Sequence, residues 1–418
     1  MPTGGGYAFR GASGLSTVEL GGGAQLDAFG RLRTSQPYEL FSKACELNDQ
    51  PLFYQNVLLG GATSSYSSQT TETTLSVAAP GDRAIRQSRW YVRYRPGKSQ
   101  QVFITGNFEG SRAGVVKRMG LFDDDTQPGS TGDGVFFEVD GTGIFAVLRS
   151  STSGVVVDTR IPQAAWNVDK LDGSGPSGIV LDLTRQQVVV LDFGWLGSAG
   201  VRWGFDVGGA VVIVHELFPS NGLSAPFMAR PSLPLRWEVV GTAPGSMRAT
   251  CGSVQSEGGF NTQGVQRAIS RGGVGLALTA TALRPLLTIR LKDAYRRGLV
   301  QLLSFTTLAQ GSNPENYEAQ LLVNASLVGA TFAAGSASEI VEYDVAATAI
   351  SGGRLLDAGY GVGGGGSTKS GVLGRPINSD VPISSNYFGV QDTLTLAVRP
   401  LGTSNTTFFG GLTWTELY

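Results

Sequence analysis

Hydrophobicity that repeats every second residue is the feature that most constrains this chain. Between Trp166 and Phe218, four apolar runs (179–183, 188–193, 201–205 and 210–218) are separated by short turn-formers. Val201, Trp203 and Phe205 alternate with Arg202, Gly204 and Asp206. A period of two gives a strand one buried face and one wetter face. Gly208-Gly209 lies between two of the runs, where a tight hairpin needs residues that accept positive φ. The run 210–217 is apolar until His215 and Glu216, and reads as a central strand covered on both faces. The stretch is predicted to be the middle of an antiparallel β-sandwich.

The same regime extends in both directions. Trp90, Val92 and Tyr94 alternate with Tyr91, Arg93 and Arg95, and the run ends at the turn signal Pro96-Gly97. Apolar alternation at 135–139, 144–148 and 155–159, with turns at 141–143 and 150–154, predicts a meander. Turn signals at such regular spacing mark an all-β sandwich or barrel. Past residue 275 the alternation returns at Leu287, Ile289 and Leu291, at 318–332 and 340–345, and at Leu394, Leu396 and Val398. The closing G-G-L-T-W-T-E-L-Y is a further strand, and 294–303 reads as strand-turn-strand.

With 418 residues and 60 glycines, the chain is long enough for more than one core and rich in turns. The expected fold is all-β, with two antiparallel β-sandwich (jelly-roll-like) domains behind a Gly-rich N-terminal arm. The arm is placed at 1–34, the large sandwich at 35–260, a linker at 261–275 and a smaller C-terminal sandwich at 276–418. The last carries a long Gly/Pro loop at 359–385. The arm is either a disordered tail or a segment that orders against a neighbouring copy.

A formal charge of −1 gives no basis for nucleic-acid binding or electrostatic membrane attachment. No apolar run approaches the ~20 residues that span a bilayer, and no signal peptide is read at the N-terminus. The expectation is a soluble chain made in the cytoplasm, with Cys45 and Cys251 as buried thiols. A single disulfide between them would leave the functional argument unchanged.

His215 is the only histidine. It sits in V-V-I-V-H-E-L-F without a serine or cysteine elbow, so it reads as structural rather than as part of a triad or zinc site. Asp169 and Asp172 in D-K-L-D-G-S-G are the candidate metal ligands, because spaced carboxylates followed by glycine can wrap calcium. Loop capping is the competing role for them, as it is for Asp123, Asp124 and Asp125. The run R-W-Y-V-R-Y-R at 89–95 could stack on single-stranded nucleic acid, but its alternation favours a strand with an arginine-bearing outer face. No dinucleotide or phosphate loop is present, so no cofactor is implied. The chain is expected not to be an enzyme.

Six segments together carry a resemblance: D-A-F-G-R-L-R-T-S-Q-P-Y-E-L-F at 27–41, Y-R-P-G-K-S at 94–99, W-N-V-D-K-L-D-G-S-G-P-S-G at 166–178, D-F-G-W-L-G at 192–197, L-P-L-R-W-E at 233–238 and the closing L-T-W-T-E-L-Y. As a set they resemble uncharacterised virion structural proteins of tailed bacteriophages. The resemblance implies a β-rich, non-enzymatic, multi-copy component of the virion, with no catalytic residues carried over. Its expected partners are copies of itself and neighbouring virion proteins, and its expected place is the tail as a sheath, appendage or baseplate component. The alternatives are a receptor-binding fibre or spike that holds host surface glycan, and a capsid decoration protein.

Overall fold

The computed structural model describes residues 7–11, 14–18, 26–258, 264–335, 337–363, 370–377 and 382–417. The described chain is all-β, its only helical pieces being short 3-10 turns. It divides into two compact units, Met1–Asn261 and Thr262–Tyr418.

In the first unit two antiparallel sheets face each other. The seven-stranded sheet runs, edge to edge, Val157–Pro162, Gly143–Ser150, Gly134–Asp140, Val115–Phe122, Leu235–Gly241, Asp82–Ser88 and Tyr54–Leu59. The eight-stranded sheet runs Ala210–Leu217, Gly200–Val207, Gln186–Gly194, Gln100–Asn107, Gly245–Ser256, Glu72–Val77 and Thr63–Ser67, with Tyr38–Lys43 also paired to Gly245–Ser256. Alternation decides which side chains lie between the sheets. Met119, Trp237 and Val239 from one sheet and Leu191, Trp203 and Phe205 from the other are fully buried. At Gly106, in the eight-stranded sheet, a Cβ would stand 2.5 Å from the Arg248 carbonyl oxygen of the neighbouring strand and 3.1 Å from Met119 Sδ and Trp237 Nε1 of the opposite sheet, an approach only glycine permits.

In the second unit a six-stranded sheet centres on Arg284–Leu291 and Thr393–Pro400. A five-stranded sheet centres on Thr406–Leu417 and Leu299–Gln310. Leu286, Ile289, Phe305, Leu321, Leu396, Phe408 and Trp414 fill one apolar core. Thr288 and Thr395, opposite each other in register, share a buried hydroxyl–hydroxyl bond of 2.9 Å.

The predicted meander forms as Gly134–Asp140, Gly143–Ser150 and Val157–Pro162. Gly208 and Gly209 close their hairpin with φ of 63° and 85°. The strand-turn-strand at 294–303 forms as a 3-10 turn, Asp293–Tyr295, ahead of Leu299–Gln310.

Five expectations need correction. The run 179–183 is not a strand: it touches Asp172 through a single bridge at Val180, which is 70% exposed. Residues 90–95 leave the ladder after Asp82–Ser88, because Ser88 Oγ donates to the Trp90 carbonyl (2.7 Å) and accepts from Leu235 N (3.1 Å). Trp90, Val92 and Tyr94 are buried there and Tyr91 with them, while Arg89, Arg93 and Arg95 are only partly buried. Ala210–Leu217 is an edge strand rather than a central one; its apolar character is spent on the hairpin partner and on cover over the sheet end. The expected linker 261–275 carries the strand Val265–Ser270, which pairs with Thr406–Leu417. The expected loop 359–385 holds the end of Arg354–Gly361 and the strand Ser370–Pro376, because long neighbouring strands supply ladder partners that override local glycine content.

Candidate functional site: the root of the N-terminal arm

Residues 26–34, assigned to the arm by sequence, lie on the side of the eight-stranded sheet turned away from the core. The segment D-A-F-G-R makes a compact turn. Asp27 Oδ1 accepts from the backbone N–H of Phe29 (3.0 Å) and of Arg31 (2.8 Å), while Gly30 takes a φ of 73°. Arg31 returns to Asp27 Oδ2 at 2.6 Å.

Arg33 fastens the segment to sequence-distant strands. Its Nη2 lies 2.7 Å from Asp192 Oδ2, and its Nη1 pairs with Glu257. Asp192 also accepts from Ser99 Oγ, and Ala28 N donates to that hydroxyl at 3.3 Å. Arg202, opposite Asp192 in register, donates from Nη1 to the Leu26 carbonyl at 2.9 Å. Burial pushes the Asp192 carboxyl up, and the guanidiniums of Arg33 and Arg202 pull against that shift. Buried charge of this kind is tolerated only when it is paired and hydrogen-bonded. The clasp therefore fixes where the chain upstream of Leu26 departs.

Beside the clasp is a cavity of about 650 Å³. Its floor carries Arg202 and Glu216, and its walls include Leu26, Phe29, Leu196 and Phe218. Gly194 and Gly200 oppose each other across the hairpin, and a Cβ on either would overlap the Phe29 ring and the Phe218 ring respectively. Two glycines in one cross-strand pair thus form a flat seat for two rings on the same face. Phe218 is left 51% exposed and Leu196 55% exposed.

A second polar constellation occupies the outward side of the seven-stranded sheet. Arg118 bridges its cross-strand neighbours, reaching Glu138 Oε2 at 2.7 Å and Glu238 Oε1 at 2.6 Å. Arg83 joins Glu238 (2.9 Å) to Asp124 (2.7 Å), and Arg236 contacts both of those carboxylates. Burial pushes the Glu238 carboxyl up, but Arg236, Arg83 and Arg118 together outweigh it and hold the group well below the usual range. Asp124 follows the same balance and falls to about 2. Glu238 is therefore held as a carboxylate at neutral pH and has no proton to donate.

The sequence candidates fall elsewhere. Buried Asp169 accepts from Leu171 N (2.9 Å) and Ser177 N (2.8 Å), and exposed Asp172 accepts from Ser174 N (2.9 Å) and Ser174 Oγ (2.6 Å). Both act as loop caps, and among the described residues no group of three acidic, histidine or cysteine side chains is placed to hold a metal ion. His215 accepts from Asn167 N at 3.3 Å, and burial lowers its pKa. Asp123 accepts from Gly132 N (3.1 Å) and Asp133 N (2.9 Å). Cys45 and Cys251 are free thiols, both pushed up by burial. Among the described residues no helix is long and apolar enough to cross a membrane.

Sequence reading missed the clasp, although D-A-F-G-R-L-R was conspicuous. The signal for the ring seat was present too: Gly194 and Gly200 are equidistant from Gly197 at the hairpin turn, a spacing that pairs them.

No family model matches the chain, and no curated protein matches it. Among solved structures, it is similar to a glycoside hydrolase family protein from Mycobacterium thermorestibile, with 13% identity over 51% of this chain and 99% of that one and a TM-score of 0.35. It is similar to a β-1,3-1,4-glucanase (lichenase) from a mouse hindgut metagenome, with 9% identity over 53% and 100% and a TM-score of 0.32. It is likewise similar to a legume lectin-like domain from Entamoeba histolytica, with 8% identity over 53% and 98% and a TM-score of 0.31. Hydrolases among these structures correct the expectation that the chain is not an enzyme. Missing motifs do not exclude catalysis here, because glycoside cleavage needs two carboxyl groups brought together by a fold and no local sequence signature.

Proposed function

We propose that this chain is a structural component of a tailed-phage virion, associated with the tail as a sheath, appendage or baseplate subunit and present as a homo-oligomer. The observation that carries this reading is the clasp. One of the segments that carry the family resemblance, D-A-F-G-R-L-R, builds a buried ion-pair anchor from Arg33 to Asp192 and Glu257. An anchor of that kind holds the root of an arm at a fixed point on the sandwich. Arms ordered at assembly lose their conformational freedom only when the interface forms. Mass spectrometry of purified particles tests the reading. The chain is expected in stoichiometric, multi-copy amounts in the particle; abundance in the infected-cell lysate with absence from particles would sink it. Blocking of host adsorption by the isolated chain would point instead to a receptor-binding spike.

A further inference from the structure

We infer that Val157–Pro162, an edge strand of the seven-stranded sheet, pairs antiparallel with the same strand of a second copy, so that two sheets continue into one across a two-fold axis at Thr159. The inference rests on the assembly reading and names one of its contacts.

The two facing sheets of the first unit treat their edges differently. Tyr54–Leu59 and Thr63–Ser67 are joined by a tight turn, so one sheet edge leads into the other. Ala210–Leu217 is met by the chain that follows the meander. Val168 N donates to the Val214 carbonyl at 3.1 Å, and Asn167 exchanges two 2.9 Å hydrogen bonds with the Glu216 backbone. Val157–Pro162 pairs with Gly143–Ser150 alone. Among the described residues its backbone takes one hydrogen bond from outside that hairpin, from Trp166 Nε1 to the Ile161 carbonyl at 3.2 Å. The remaining backbone groups that point away from Gly143–Ser150 form an open ladder, a template for a further strand.

Edges are normally defended by a charge that projects past the strand or by a proline within it. Here the charges are turned back onto their own sheet. Arg160 lies over the Phe145 ring at 3.8 Å with its Nε 2.6 Å from Glu138, and Arg149 holds Asp158 at 2.7 and 2.8 Å. Pro162 stands at the last position of the strand, away from its centre. Val157 is left 47% exposed and the adjoining Val155 65% exposed.

The sequence selects both partner and register. A two-fold axis between antiparallel strands sets one residue opposite its own copy. With Asp158 or Arg160 at the axis, like charges would face each other. With Thr159 there, Asp158 faces the partner's Arg160, Val157 faces the partner's Ile161, and threonine meets threonine. Alternation places Val157, Thr159 and Ile161 on the side of the sheet that carries Ala146 and Leu148, and Asp158 and Arg160 on the other. The seam therefore has apolar pairs flanking a threonine pair on one side and unlike charges opposed on the other, each a stabilising cross-strand combination. The match is of V-D-T-R-I with itself, so the partner it selects is a second copy of this chain.

The test uses the full chain and two variants of the exposed axis residue, Thr159→Lys and Thr159→Glu, with mass read by size-exclusion chromatography and light scattering over a range of concentrations. Near-ultraviolet circular dichroism checks that each variant keeps its packing. Wild-type protein is expected to reach at least twice the single-chain mass. Each variant alone is expected at no more than half the wild-type value, because like charges then meet at the axis. Mixing the variants in equal amounts opposes unlike charges and is expected to restore the wild-type mass. Hydrogen exchange of the wild type, which needs no substitution, is expected to show residues 157–161 gaining protection as concentration rises. Variants that keep the wild-type mass, or that lose it without recovery on mixing, overturn the pairing. A wild-type oligomer with no added protection at 157–161 overturns it too. Each of these outcomes leaves the assembly reading in place, whereas a wild-type chain that stays single at every concentration sinks both.

Discussion

The two units solve the same problem, covering antiparallel sheets, by different means. The first buries charge. Glu238 and Arg236 are fully enclosed on the outward side of its seven-stranded sheet, and Asp192 is enclosed beneath the arm root. The second relies on a large apolar core, a smaller apolar cluster around Leu322, Ala325 and Ala397, and a buried threonine pair. Its ion pairs keep the arginine partly exposed, 43% at Arg399–Glu318 and 25% at Arg267–Glu416, although the carboxylates of both are buried. Buried ion networks add little net stability over apolar packing, yet they are severely damaged when one partner is removed. The first unit should therefore be the more brittle to single charge changes and to acid, and the second to loss of core volume.

The largest expected effect comes from Glu238→Ala, which leaves Arg83, Arg118 and Arg236 around an empty position. A loss of about 3–5 kcal/mol is expected. Hydrogen exchange should show it across Val115–Phe122 and Leu235–Gly241 while Arg284–Leu291 keeps its protection. Equal deprotection of both units would break the comparison. Leu396→Ala should produce the converse, a loss of about 2–5 kcal/mol read at Arg284–Leu291 and Thr393–Pro400, with the first unit unchanged.

Acid sharpens the contrast. Asp124 and Glu238 have folded-state pKa values below their unfolded ones, so the native state binds fewer protons. Their contribution is complete above the unfolded carboxylate range and is lost as pH falls from ~4 toward ~2. Asp123 and Asp192 are raised by burial and have the opposite sign, acting above that window. The seven-stranded sheet should thus lose protection between pH 4 and pH 2 before the second unit does. A simultaneous loss would remove the lattice as the cause. The smallest effect belongs to Arg399→Ala, expected to change stability by less than ~1 kcal/mol in chemical denaturation, because the arginine is solvent-accessible and Gln320 still donates to the Glu318 carboxylate.

How much of this was legible follows from what each residue has to compete with. Alternation alone located the 134–162 meander and the Gly208-Gly209 hairpin, because all but the meander's last strand, Val157–Pro162, turn residues into the core. The charged lattice was hidden, since Arg83, Arg118 and Arg236 occupy polar positions of a binary pattern. Only cross-strand register, unknown in advance, places Glu138 and Glu238 against Arg118. Residues 90–95 misled because their alternation is real in sequence, while the Ser88 hydroxyl ends the ladder and Tyr91 is buried along with Trp90, Val92 and Tyr94. The strand Ser370–Pro376 was read as loop because glycine content is local evidence, whereas its partner, Leu299–Gln310, lies about 70 residues away in sequence. At the arm root neither the turn D-A-F-G-R nor its anchors were read, since the anchors lie in strands far along the chain.

The most direct test of the assembly claim is the mass of the full chain by light scattering over a wide concentration range. The account predicts a discrete homo-oligomer, a whole-number multiple of 43.8 kDa, that persists on dilution toward the dissociation constant. A species of 43.8 kDa at every concentration would contradict it.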